Sequence, residues 1–141
     1  MNAITRVKEA IEEIKKGNMV IMLDDEDREN EGDLVYSAAL STPEHVNFMV
    51  THAKGLVCVS VPNETAKRLE LYPMVSSNTS AYETAFTVSV DDANAATGIS
   101  AIERDNTIKI LANPIAKAVE LVRPGHIFPL IAKDGGVLVR T

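Results

Sequence analysis

The sequence predicts an α+β domain, a complex layered arrangement of a mixed sheet with helices. Three observations point there. Apolar residues recur at helical spacing in some stretches, as at Ile4, Val7, Ile11 and Ile14. Others are short β-rich runs, such as Leu56-Val-Cys-Val-Ser-Val61. The two kinds of element mix without strict alternation, which argues against a simple doubly wound sheet. At 141 residues the chain is expected to form a single domain over 1–141.

The elements follow in order. The first amphipathic helix ends in Lys15-Lys16 and stops at Gly17. Met19 to Leu23 has no polar residue and reads as a strand buried on both faces. An acidic loop follows, then a weaker strand from Leu34 to Leu40. Thr42-Pro-Glu44 is a helix start, with Val46, Met49 and Val50 as the apolar face and Gly55 as the stop. After the Leu56 to Val61 strand, Asn63 caps a short helix through Leu69. Residues 72–83 form a polar loop. Thr84 to Val90 alternates, with Phe86, Val88 and Val90 on one face. Asp91 to Gly98 is a second polar loop. Ser100-Ala-Ile-Glu103 fits a capping box whose helix runs to about Leu111. Arg123-Pro-Gly125 is a turn signal. Ile127 to Ile131 and Val137 to Val139 are expected as strands of a hairpin through Lys133 to Gly136.

Composition narrows the function classes. A net charge of −6 with no basic face argues against nucleic acid as a partner. One cysteine, Cys58, allows no internal disulfide and suggests a reducing compartment. The charged amino terminus is no signal peptide, and no apolar run reaches the roughly 18 residues of a membrane span. A soluble cytoplasmic protein with no membrane partner is the expectation.

Chemistry concentrates in Asp24-Asp-Glu-Asp-Arg-Glu-Asn-Glu-Gly-Asp33, which holds seven of the 20 acids around Arg28. A solvated acidic turn and a loop that holds cations and polyols both fit. An EF-hand does not: counting from Asp27, the required glutamate position falls on Ala38. Few protein carboxylates suit magnesium better than calcium. His45 and His52 lie on one expected helix with no zinc spacing and read as structural. His126, fixed by a Pro-Gly pair at a strand mouth, suits either acid/base work or a structural role. Cys58, between valines, reads as a buried inert thiol. Thr97-Gly-Ile-Ser100, at a helix start, fits a phosphate contact or merely a cap. Nothing local explains Arg140.

The acidic block, Asp24 through Leu34, resembles the signature loop of the 3,4-dihydroxy-2-butanone 4-phosphate synthase family. The likeness continues in order through Gly55-Leu-Val-Cys58, Thr84-Ala-Phe-Thr-Val88, Thr97-Gly-Ile-Ser-Ala101, Pro124-Gly-His-Ile-Phe-Pro-Leu130 and Gly135-Gly-Val-Leu-Val-Arg140. It implies a mixed α/β fold and a homodimer with active sites at the subunit interface. It also implies conversion of D-ribulose 5-phosphate, a small sugar phosphate, into 3,4-dihydroxy-2-butanone 4-phosphate and formate with Mg2+ or Mn2+. By the matching motifs, Glu29 is the metal ligand and also lies at the substrate. Arg28 and Asp33 hold the substrate, His126 is the catalytic acid/base group, and Arg140 binds the phosphate end. Asp24, Cys58 and Thr97 lie nearby.

The likeness has departures. Glu103 stands where the family more often has aspartate, and Ile131 where arginine is common. The family also carries a Gly-His-Thr-Glu segment shortly after the position of Arg140, bearing the second metal ligand, and this sequence ends at Thr141. A C-terminally incomplete domain is therefore expected. Its alternative role is a catalytically incomplete phosphosugar- or metal-binding domain. Many relatives carry a GTP cyclohydrolase II domain as well.

Overall fold

The computed structural model describes residues 2–139. Helix α1 spans Ala3–Lys15. Asn2 caps it by accepting from the Thr5 amide at 2.9 Å. Gly17, at φ 85°, closes it: its amide donates to Ile14 O and that of Asn18 to Glu13 O, the paired bonds of a Schellman cap.

Strand β1, Val20–Leu23, pairs antiparallel with β2, Gly32–Val35, as an isolated two-stranded ribbon. The acidic loop is therefore a hairpin connection. The expected burial of β1 on both faces fails: Ile21 is 70% and Leu23 77% exposed. The apolar run specified a strand, but only β2 lies against it within the sheet. The Ile4, Val7 and Ile11 stripe of α1 is likewise exposed. The strand expected to reach Leu40 ends at Val35, and Ala38–Leu40 is a 3-10 turn.

Helix α2, Pro43–His52, starts at Thr42 as the sequence predicts, with the Thr42 hydroxyl accepting from the His45 amide. It ends before Gly55, through Lys54 in a left-handed conformation (φ 61°). Strand β3, Cys58–Val61, leads into α3, Asn63–Arg68. Asn63 does not cap α3; its side chain donates to Asp134 Oδ1 at 2.9 Å.

The segment from Thr84 forms only isolated bridges, Phe86 to Leu130 and Pro73 to Thr87. Phe86 and Val88 are only half-buried, whereas Thr87 and Ser89, which alternate with them, are buried. Each has a polar partner inside: Thr87 donates to the Pro129 carbonyl and Ser89 accepts from the Gly125 amide. Hydrogen bonding makes their burial tolerable. Asp91 and Asp92, expected in a loop, belong with Val90 to β4, Val90–Asp92.

Helix α4, Ala101–Ala112, begins with the expected Ser100–Glu103 capping box. Strand β5, Leu121–Ile131, runs centrally, parallel to β3 and antiparallel to β4. The Arg123-Pro-Gly125 turn signal thus lies inside a strand. A register shift accommodates it: Val90 faces Ile127 while Asp91 faces Val122, so the intervening residues bulge out. The expected last hairpin is absent from the described residues. Gly135 and Gly136 both take positive φ, and the chain turns into a 3-10 segment, Gly136–Val139.

The core lies between this mixed sheet and helices α2, α3 and α4. Val46, Val59, Val61, Leu69, Val90, Ile108, Leu111 and Ile127 are buried together. Each such side chain contributes about 1.5–3 kcal/mol on burial. In β3 the parity is clear, with Val59 and Val61 inward and Cys58 and Ser60 outward. No helix among the described residues is long and apolar enough to cross a membrane.

Candidate active site

The acidic loop is held by contacts between near neighbours. Asp24 Oδ2 accepts from Arg28 Nε at 2.7 Å and from the Glu29 amide at 3.0 Å. Arg28 Nη2 donates to Glu29 Oε2 at 2.8 Å, so one guanidinium joins two carboxylates. Asp25 Oδ1 accepts from the Asp27 amide at 2.9 Å, an Asx turn, and Asn30 adopts φ 53°. The Arg28 bond is the main reason the Asp24 carboxyl sits below its ordinary range, with the Glu29 amide adding to it.

One tie reaches far along the chain. The Tyr82 hydroxyl donates to the Arg28 carbonyl at 2.7 Å. The Arg28 guanidinium lies 5.2 Å from the Tyr82 ring centroid, within cation–π range. The sequence marked 72–83 as a polar loop but not this tyrosine; an aromatic in a run of small polar residues was the available signal.

Asp33 sits on β2 opposite Met22. It lines two adjoining open clefts of about 380 and 370 Å³, together with Leu34, Met49, Leu56, Val57 and Cys58. Cys58 is exposed there, against the expectation of a buried thiol, because odd-numbered β3 residues face the core. Partial desolvation in the cleft raises the thiol's pKa, and the Asp33 carboxylate adds to that, so the thiolate is disfavoured.

His126 lies on the bulged part of β5. Its Nδ1 is 2.8 Å from Asp91 Oδ2, and its amide donates to Asp91 Oδ1 at 2.8 Å. The imidazole is 42% exposed; Asp91 is buried, at 6%. Sequence reading missed Asp91 by placing it in a loop; a carboxylate closing the alternating Val88-Ser-Val90 run was the available signal.

Thr97 lies before α4. Its amide and hydroxyl both point to the Glu103 carboxylate, which also accepts from the Ala96 and Ser100 amides. These bonds, Ala96 first and the Ser100 hydroxyl next, hold the Glu103 carboxyl down to about 2. Glu103 thus occupies the place where an anion would meet those amides. His45 packs against Tyr36 and His52 against Phe48 in tilted pairs, with centroids 4.6 and 4.4 Å apart. Arg140 lies outside the described residues.

The structure therefore joins Asp24, Arg28 and Glu29, sets Asp33 by Cys58, and pairs His126 with Asp91. Among the described residues, no hydrogen bond or ion pair links these three groups. Nor does any group of three His, Cys, Asp or Glu side chains form a metal cage. Glu29 offers one hard oxygen donor, Oε1, since its Oε2, like Asp24 Oδ2, is held by Arg28. That set fits a magnesium-like ion, which keeps waters and takes one or two carboxylates plus substrate oxygens. It does not fit an all-protein calcium cage.

Comparison with known proteins identifies the family. The family profile for 3,4-dihydroxy-2-butanone 4-phosphate synthase matches residues 8–141. The chain is 67% identical over 138 residues to the synthase of that name from Sulfurospirillum multivorans, and 66% identical to that from Wolinella succinogenes. Each alignment covers 98% of this chain but only 39% or 40% of the relative, so the chain spans about two-fifths of their length. A crystal structure of a 3,4-dihydroxy-2-butanone 4-phosphate synthase in complex with two magnesium ions superposes with a TM-score of 0.91. That pair is 43% identical, covering 95% of this chain and 63% of the other. The chain belongs to the 3,4-dihydroxy-2-butanone 4-phosphate synthase family.

Proposed function

We propose that the protein is a carbon–carbon lyase of riboflavin biosynthesis, converting D-ribulose 5-phosphate into 3,4-dihydroxy-2-butanone 4-phosphate and formate. Family membership across residues 8–141 carries this reading. The site chemistry supports it. The reaction begins by taking a proton from a carbon next to a ketone, which needs a base active near neutral pH. His126 supplies one: Nδ1 is engaged by Asp91, and Nε2 has no protein partner among the described residues. Asp33, on the cleft wall, accepts hydrogen bonds from sugar hydroxyls. Arg28 gives the acidic loop a cation for an anionic substrate, and Tyr82 steadies it. Arg140 is assigned to the phosphate end. Glu29 would hold a Mg2+ or Mn2+ ion, which would supply Lewis acidity to substrate oxygens.

The reading extends to a homodimer with shared active sites and a cytoplasmic location. The exposed apolar residues of α1 and β1 support a partner subunit. The lone cysteine fits a reducing compartment. Incubating the full-length protein with ribulose 5-phosphate and Mg2+ tests the activity. Formate is the expected product, lost in Glu29→Gln and His126→Asn. An isomeric pentose phosphate without formate, or undiminished formate from Glu29→Gln, overturns it.

A further inference from the structure

We infer that His45 on α2 and Asp105 on α4 are hydrogen-bond partners, ring Nδ1–H to carboxylate Oδ1, and that the pair positions Tyr36 in the wall of the cleft. The consequence for substrate binding rests on that cleft taking the sugar phosphate, as proposed above; the hydrogen bond does not.

Two buried atoms each lack what the other supplies. Asp105, in the second turn of α4, is 1% exposed. Its Oδ2 accepts from Lys109 Nζ at 2.7 Å, one helical turn on. Its Oδ1 is sealed from solvent with no partner among the described residues, and so is His45 Nδ1. Buried polar atoms are nearly always paired, and an unmatched carboxylate oxygen is costly. A carboxylate only accepts, and a neutral imidazole can carry its one proton on Nδ1. Arg104 Nε is also buried and unmatched. Successive residues of a helix point about 100° apart, which directs Arg104 away from Asp105.

Tyr36 is common to both sides. Its ring packs against the His45 ring, with centroids 4.6 Å apart, and its hydroxyl shares a hydrogen bond with Ser41 Oγ at 3.0 Å. Ser41 is buried and directly precedes Thr42, the cap of α2. The charge of Asp105 reaches the same hydroxyl. Burial raises the Tyr36 pKa most, the Ser41 bond opposes that, and the Asp105 carboxylate adds to the rise. Helices α2 and α4 pack directly, with Val46 next to His45 and Ile108 one turn from Asp105 in the shared core. Tyr36 and Ile108 both line the cleft that holds Asp33 and Cys58. A bond between His45 and Asp105 therefore fixes the aromatic side chain of that wall.

Imidazole nitrogen-15 shifts in the labelled full-length protein, recorded with the ring neutral, test the inference. Wild-type His45 is expected as the Nδ1–H tautomer. Asp105→Leu removes the acceptor, and the ring should revert to the Nε2–H form that a free imidazole side chain prefers. Amide exchange at Val46 and Ile108 reads the local stability. His45→Phe keeps the packing on Tyr36 but leaves the carboxylate unpaired, and Asp105→Leu leaves the imidazole unpaired; each should quicken exchange. In the double variant the protection lost should fall short of the product of the two single losses by roughly 2- to 150-fold, the range for coupled neighbours. With ribulose 5-phosphate, His45→Phe should raise KM severalfold and leave kcat almost unchanged, because Tyr36 lies on the cleft wall and not at His126. An Nε2–H ring in wild-type His45 overturns the inference with no variant made, and so do strictly additive losses. An unchanged KM beside an Nδ1–H ring overturns the positioning role. No formate from the wild type overturns the proposed activity instead and leaves the hydrogen bond standing.

Discussion

The acidic loop and the Asp91–His126 corner hold their carboxylates by opposite means. In the loop, Asp24, Arg28 and Glu29 lie within five positions of one another, on an exposed hairpin. One turn of chain sets most of their geometry. In the corner, a buried aspartate meets a histidine 35 positions away, across a bulge, between two glycines that have no room for a methyl group. An exposed ion pair is weakly stabilising and adjusts to its surroundings. A buried carboxylate does not, since loss of its partners leaves an unsatisfied charge. The loop is therefore suited to meeting a ligand that arrives with its own charges. The corner is suited to presenting one atom in one orientation.

Substitutions should separate the two regions. Gly125→Ala is expected to do the most damage. Its Cβ would meet backbone that cannot swing aside, so a loss of about 3 kcal/mol or more is expected in chemical denaturation. A loss below about 1 kcal/mol would mean the bulge is as adaptable as the loop. Ser100→Ala removes the cap that supports the Thr97–Gly98 floor of the corner, and should cost about 1 kcal/mol. Tyr82→Phe acts on the loop. It removes one exposed hydrogen bond, so global stability should fall by no more than about 0.5–1.5 kcal/mol. Amide exchange around Arg28 should quicken while exchange around His126 stays as it was. Equal quickening at both would show that the two regions are coupled.

Acid gives the finest distinction. Glu103 is lowered from its ordinary 4.5 to about 2, so its stabilisation is fully present above pH 4.5 and is lost as pH falls towards 2. Asp24 is lowered too, mainly by Arg28, so its contribution is lost in the same direction. Protection of the Ala96 and Thr97 amides is expected to survive at pH 4 and fail near pH 2. Glu103→Gln should abolish that pH dependence without altering the acid response of the loop.

The parts of the fold that could be read from the sequence are those whose partners lie close along the chain. Thr42 and the Ser100–Glu103 box start their helices as written, and Gly17 ends α1. The cluster of Asp24, Arg28 and Glu29 was legible for the same reason. Where sequence reading failed, distant partners decide. The apolar Val20–Leu23 run became an exposed strand, since period and hydropathy specify a strand but not what covers it. Asp91 and Asp92 looked like loop residues until β5 was laid beside them. Pro124-Gly125 looked like a turn and instead became a bulge within β5.

By itself the sequence determined the family, the starts of α2 and α4, the end of α1, and the identities of the acidic loop and His126. Only the tertiary structure decided that Asp91 reaches His126, that Tyr82 steadies Arg28, and that Cys58 faces a cleft. Each of these depends on strand register or on packing between distant segments. A shift of one residue in register turns a side chain to the other face of a sheet, and no local pattern of residue types records that choice.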